Sequence, residues 1–253
     1  MGQPRNVRFR TANLSGWLQS GVPHGAGLRG AADGAAHESA LSGVNRLRQA
    51  LTRERIESVM ALVAAVEAKD VYTERHSLNV ALHTEQLARR LGASATDVEI
   101  MTTAALLHDV GKIGVPDAIL TKPSRLDKDE YEVIKGHPEI GVGILRHAAF
   151  LEPELPLVLH HHEWFNGGGY PDRLAGRDIP FGARVLLVAD CIDAMLSPRC
   201  YQQARTDEQV IDELHKGRGR QFDPDVADVA IAYLADGKVP AYAEPRRPEP
   251  VET

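Results

Sequence analysis

His108 and Asp109 are adjacent, with Gly111 and Lys112 just behind them. An imidazole beside a carboxylate can supply two metal ligands, or one ligand and one bridge between two ions. A lone His-Asp pair is more often a helix C-terminal cation beside a solvated acid, but this pair has company. His76 opens a helical stretch, His137 precedes Pro138 at a helix start, and His160-His161-His162 close the apolar run Leu157-Val158-Leu159. Asp190 ends the apolar Val188-Ala189 step, where an unpaired carboxylate would be costly to bury. It therefore needs a cation: a metal, or a salt bridge to Arg184 or Arg199. Together, five of these histidines with Asp109 and Asp190, at inner positions of successive helices, resemble a two-metal site. Mixed imidazole and carboxylate donors suit Fe, Mn, Zn or Ni rather than Mg or Ca, and the lack of thiolates argues against structural zinc. Two ions about 3.5–4 Å apart would lower the pKa of a bridging water and clamp a phosphoryl oxygen. Lys112 is then the point charge for a phosphate.

A second signal is Asn166-Gly167-Gly168-Gly169-Tyr170-Pro171-Asp172. Its glycines permit positive φ and close backbone approach to a ligand, and Tyr170 offers a face for stacking a base. Alone, the same residues would make a flexible surface turn.

The elements that must carry these groups read almost entirely as helix, with no strand alternation. Val44, Leu47 and Leu51, continued by Ile56, Val59, Met60 and Val63, predict one long helix or two joined ones. A helix over 73–91 stops at Gly92, and Thr96 with Glu99 predicts a capping box for the next, which carries Met101, Ala104, Ala105 and His108 on one face. Asp127 with Glu130, Pro138, Ile179-Pro180, Thr206 with Gln209, and Asp223-Pro224 mark further helix starts. Two stretches, 111–125 and 166–178, resist helix, and irregular loops in a helical body tend to carry function.

Composition sets the class. In 253 residues, 43% are hydrophobic and 25% charged, which excludes disordered, collagenous and disulfide-scaffold chains. Residues 1–37 read as a disordered tail, 38–54 as a linker or dimer helix, 55–237 as the catalytic domain and 238–253 as a Pro-rich tail. Cys191 and Cys200 make no framework, and point to a reducing, cytoplasmic compartment. No apolar stretch is long enough for a membrane span, and the N-terminal arginines precede no apolar signal region. Of the net charge of −6, residues 51–239 hold −9, so this body is a poor binder of long nucleic acid.

In their order, the motifs resemble the HD-GYP family, a branch of the HD phosphohydrolases. They run from His108-Asp109-Val110-Gly111-Lys112 through His137-Pro138-Glu139, His161-His162-Glu163, Gly169-Tyr170-Pro171 and Val188-Ala189-Asp190 to Gln221-Phe222-Asp223-Pro224. The resemblance implies an all-α HD-domain bundle with an inter-helix site for two divalent ions, Fe or Mn. It implies hydrolysis of cyclic di-GMP to pGpG, and in some members on to GMP, by a hydroxide held between two metals that attacks phosphorus. His76, His108, Asp109, His137, His161, His162 and Asp190 match the family's ligands, with Asp109 as the bridge. Lys112 matches the phosphate-facing lysine, and Asp193 an acid that orients or deprotonates the attacking water. Gly169, Tyr170, Pro171 and Arg199 match substrate contacts. His83 and His160 are expected to be structural; His24, His37, His147 and His215 are expected to be bystanders.

Departures refine this. The position four residues before His76, a third-metal Glu in some members, is Tyr72, so two metals are expected. The usual Arg-Pro-Tyr-Arg reads Arg199-Cys200-Tyr201-Gln202, and the usual Gly after Tyr-Pro-Asp is Arg173. The alternative reading is a low-activity scaffold, dimeric or not, that binds GGDEF-type diguanylate cyclases or cyclic di-GMP. A third, another HD hydrolase acting on mononucleotides, is disfavoured by the Gly-Tyr-Pro loop.

Overall fold

The computed structural model describes residues 54–66, 68–69, 76–122, 124–197 and 204–237. The expected tails, the helix at Val44 to Leu51, and Tyr72, Arg199 and Gln202 lie outside the described residues. Within them the chain is helical, and backbone pairing outside helices amounts to isolated bridges at Asn166–Ala175 and Arg218–Phe222. Among the described residues no helix is long and apolar enough to cross a membrane.

Helix α1, over 54–66, turns Val59, Val63 and Val66 to the core at helical spacing. Helix α2 (His76–Arg90) ends where Gly92 takes φ +76°, and the Ala93 N–H reaches back to the Ala88 carbonyl to close the last turn. Helix α3 (Ala95–Leu107) starts earlier than the Thr96–Glu99 pattern predicts. Ser94 caps it, accepting from the Asp97 N–H at 3.1 Å, so the pair two residues upstream with the same spacing wins.

The stretch expected to resist helix holds a 3₁₀ turn (Val110–Gly114) and the short α4 (Asp117–Leu120), entered through Pro116. Both capping boxes read from the sequence at later helices are present, Asp127–Glu130 on α5 (Lys128–Lys135) and Thr206–Gln209 on α9 (Asp207–Gly217). Pro138 is the second residue of α6 (His137–Leu145), and α7 (Leu155–His160) follows it. Asp223 caps α10 (Pro224–Ala235).

Helix α8 (Phe181–Leu196) is the axis of the bundle. Val185, Leu186, Leu187, Val188, Ala189 and Ile192 are buried all round it, the pattern of a fully enclosed helix. It packs against α2, α3, α7, α9 and α10. The loop over 166–178 lies outside this core and holds Arg173 at φ +57°. That left-handed conformation costs a side-chain-bearing residue roughly 1–2 kcal/mol, which is the physical reason a glycine suits the position. Arg173 is exposed. Arg173→Gly is expected to stabilise the protein by about 0.5–1 kcal/mol in urea unfolding with chelator present, the strain relieved exceeding the added unfolded-state entropy. An unchanged or lower midpoint would contradict that reading.

Candidate metal centre

Every α-helix leaves its last carbonyls without intrahelical partners. Three of these helices give such a carbonyl to a histidine standing just past the helix end. His108 Nδ1 donates to Ala105 O at 2.7 Å after α3. His137 Nδ1 donates to Ile134 O at 2.8 Å after α5, and His161 Nδ1 to Val158 O at 2.7 Å after α7. A neutral imidazole protonated at Nδ1 carries a bare lone pair at Nε2. Each of the three Nε2 atoms is therefore an acceptor or ligand, and all three rings are buried.

Those lone pairs converge. His137 Nε2 and His161 Nε2 stand 3.2 Å apart, lone pair toward lone pair, an arrangement only a proton or a metal cation satisfies. Burial lowers the pKa of His137, lowers that of His161 further, and pushes His162 down to about 4. Protons thus leave these rings readily, and a metal is the cation that fits. Donor atoms of His137, His161 and His162 lie within 4.8 Å of one another, and so do those of His76, His108 and Asp190.

Asp109 stands between the two trios and is buried. Its Oδ2 faces His108 Nε2 at 3.3 Å and His76 Nε2 at 3.7 Å, while its Oδ1 faces His137 Nε2 at 3.4 Å. One carboxylate oxygen per trio is the geometry of a bridging ligand. Burial alone would raise the Asp109 carboxyl, but the Lys112 ammonium, 2.7 Å from Oδ2, holds it well below the ordinary carboxylate range.

Asp190 sits 3.4 Å from His76 Nε2 and, against the pull of burial, is held low by its hydrogen bond to that ring. Arg184, offered from the sequence as a partner, is instead bonded to Asp223 and to the Ile179 carbonyl. His76 itself resists charge through burial, yet its bonds to Asp190 and Asp193 and the charges of Asp190 and Asp109 push it up to about 10.

The sequence expectation aimed Asp193 at an attacking water. In the structure its Oδ2 takes His76 Nδ1 at 2.6 Å and its Oδ1 takes Ser197 Oγ at 3.1 Å. The carboxylate is 1% exposed and stands on the far side of His76 from Asp109 and Asp190, where it orients the ring.

The glycines explain the register of the motifs. A Cβ on Gly111 would run into the His137 carbonyl and come against Gly141 N, so only glycine lets the 3₁₀ turn lie on the start of α6. A Cβ on Gly169 would strike the backbone of His162, Glu163 and Trp164. This contact seats the loop so that the Tyr170 ring lies 4.8 Å from that of His162. Glu163, buried beside the ligands, accepts the Asp172 N–H at 2.7 Å through Oε1, while Oε2 finds no partner. His160 ties α7 to the same loop through Asp172 at 2.9 Å, and His83 bonds Tyr233 at 3.0 Å. Both are structural contacts. His147 and His215 are exposed and outside these bonds; His24 and His37 lie outside the described residues.

Sequence reasoning missed Lys69. Its ammonium caps the Ile113 and Val115 carbonyls, each at 2.6 Å, and stands 3.3 Å from Asp117. It thereby ties the C-terminal side of α1 to the loop behind Lys112. With donor and first acceptor 44 positions apart, no local pattern announces the bond.

An all-helical bundle whose helix ends deliver histidines and aspartates to one buried point defines a helical metal-site domain. A family model described as "HD domain" matches residues 55–226, and the chain belongs to that family. It is 37% identical over 235 residues to the cyclic di-GMP phosphodiesterase response regulator RpfG of Xanthomonas campestris pv. campestris, covering 90% of this chain and 59% of that protein. It is 38% identical over 179 residues to 3'3'-cGAMP-specific phosphodiesterase 2 of Vibrio cholerae, covering 70% of this chain and 34% of the relative. The chain thus spans between a third and three fifths of these two relatives. Among solved structures, the V. cholerae phosphodiesterase V-cGAP3 superposes with a TM-score of 0.58 at 18% identity, over 72% of this chain and 49% of that one, a likeness of fold.

Two outcomes follow from the geometry. Gly111→Ala must displace the start of α6, and is expected to weaken metal binding about 10- to 100-fold in a chelator competition, as disturbed supporting contacts do; unchanged affinity would contradict the packing argument. Metal uptake must also expel the His76 proton. Below the His76 pKa of about 10 that proton is in place. Apparent affinity should therefore rise with pH across neutrality, about tenfold per unit for this proton. A flat profile between about pH 6.5 and about pH 8.5 would count against it.

Proposed function

We propose that this chain is a metal-dependent phosphodiesterase that hydrolyses cyclic di-GMP to pGpG, alone or followed by GMP. The observation that carries the reading is Asp109, whose two oxygens face two separate sets of imidazoles. The named activities of the relatives support a cyclic dinucleotide as substrate, cyclic di-GMP for several and 3'3'-cGAMP for others.

His76, His108 and Asp190 would hold one divalent ion, His137, His161 and His162 the second, and Asp109 would serve both. Iron or manganese fits these donors, and such a pair supplies a nucleophile at neutral pH and offsets charge on phosphoryl oxygens. Asp193 and Ser197 keep His76 Nε2 pointed into the site. Lys112 already stands against Asp109, 20% exposed, and is placed to meet a phosphoryl oxygen as negative charge develops there. The Gly169-Tyr170-Pro171 loop lies against His162 and offers the phenol ring to the substrate at the edge of the centre. Arg199 is retained as a phosphate contact on the resemblance alone.

The test is a product assay. Anaerobically purified protein loaded with Fe(II) or Mn(II) is incubated with cyclic di-GMP beside Asp109→Ala, and the nucleotides are separated chromatographically. The expected result is metal-dependent pGpG, alone or followed by GMP, reduced at least about 100-fold in the variant. No turnover by protein that demonstrably holds two metal equivalents would overturn the reading in favour of the scaffold that binds diguanylate cyclases.

A further inference from the structure

Next to the metal centre, the structure sets Tyr170 beside two side chains that neither the metal ligands nor the proposed substrate contacts include. Tyr131 and Lys135 lie one turn apart on α5, and Tyr170 comes from the loop over 166–178. The Lys135 ammonium stands 5.6 Å from the centre of the Tyr131 ring and 5.8 Å from that of Tyr170, in cation–π range of both. Tyr131 is 49% exposed, which leaves its ring open to a ligand.

The group is held rigidly relative to the reacting centre. Tyr170 packs on His162. Lys135 is followed after one residue by His137, whose ring is bonded to the carbonyl of Ile134, the residue before Lys135. Glu132 secures the ammonium from one side at 2.6 Å.

Two phenol faces with one directional donor between them suit a flat heterocycle with an acceptor edge. They suit a phosphate poorly, because the electron-rich ring faces repel an anion. Lysine has donors only. Guanine presents two acceptors, O6 and N7, along one edge, whereas adenine places an N6 amino donor where O6 would be.

We propose, on the basis of the phosphodiesterase reading, that Tyr131, Lys135 and Tyr170 form a purine subsite in which Lys135 selects guanine over adenine. Exposed Tyr131 supplies the stacking surface, Tyr170 closes the side toward the metal ligands, and the ammonium donates to the O6/N7 edge. The subsite makes the chain prefer cyclic di-GMP to 3'3'-cGAMP, and 3'3'-cGAMP to cyclic di-AMP.

Calorimetric titration tests this without turnover. The full chain is kept metal-free with chelator and titrated with cyclic di-GMP, 3'3'-cGAMP and cyclic di-AMP, beside Lys135→Met and Tyr131→Leu. Lys135→Met keeps the aliphatic stem, and is expected to weaken cyclic di-GMP about tenfold while cyclic di-AMP moves less than about twofold, so that the preference collapses. Tyr131→Leu should weaken all three alike, since stacking ignores the base edge. Equal losses for all three ligands in Lys135→Met would overturn the proposal by making the lysine a general anion contact. An unchanged preference, or no binding of any dinucleotide by the wild type, would overturn it as well. Hydrolysis of bis(p-nitrophenyl) phosphate by the Mn-loaded wild type then reports separately whether the phosphodiesterase reading stands.

Discussion

The main-chain carbonyls at three helix ends govern this protein. Each takes the Nδ1 proton of a histidine just beyond its helix, at 2.7 to 2.8 Å, and so decides which nitrogen of that ring is left with a lone pair. The bond meets two needs at once: a carbonyl that the helix cannot satisfy gains a donor, and the imidazole gains a fixed tautomer and direction. Because α3, α5 and α7 all end around one buried point, the rings of His108, His137 and His161 are aimed there by secondary structure alone. His76 is held differently: it begins a helix, and a side chain, Asp193, does for it what a carbonyl does for His108, His137 and His161.

Directed lone pairs have value only if the helix ends stay in register, and the packing provides for that. Gly111 allows the turn after His108 to rest on the start of α6 with no side chain between them, which couples Asp109 to His137. Lys69 then fastens two carbonyls of the same turn to the helical chain over 54–69. On the opposite side Gly169 and Glu163 hold the loop against His162. Helix α8, buried along most of its length, carries Asp190 and Asp193 to the centre on adjacent turns. Ligands thus arrive from distant parts of the chain, each on an element pinned by at least one specific contact.

Much of this was legible in the residues. The all-helical class, the capping boxes at Asp127 and Thr206, and the convergence of seven His and Asp side chains all follow from local pattern and residue type. What stayed hidden depends on direction or on distance along the chain. The resemblance offered Asp193 as an acid acting on the attacking water, and only the coordinates show that its carboxylate takes His76 Nδ1. The Ser94 cap and the Thr96 pattern have the same spacing, so sequence alone had no means to rank them. Lys69 joins a loop 44 residues away, beyond the reach of any periodicity. Arg173 reads as a simple departure until its positive φ shows what a glycine would have relieved.

The charges at the centre explain why such a site belongs to a cation. Asp109, Asp190 and Asp193 bring three carboxylates into a nearly dry interior. The only full positive charges set against them there, among the described residues, are the Lys112 ammonium and the proton on His76. Both are displaceable: Lys112 is partly exposed, and the His76 proton can leave as a metal arrives. Neutral rings pointing bare nitrogens inward add donors without adding positive charge. Divalent ions would settle both imbalances together, replacing a mobile ammonium and a labile proton with fixed charge among directed lone pairs. Metal binding and the order of the elements that carry these ligands are therefore a single thermodynamic event, in which the ligands cost little to arrange because the helix ends have already arranged them.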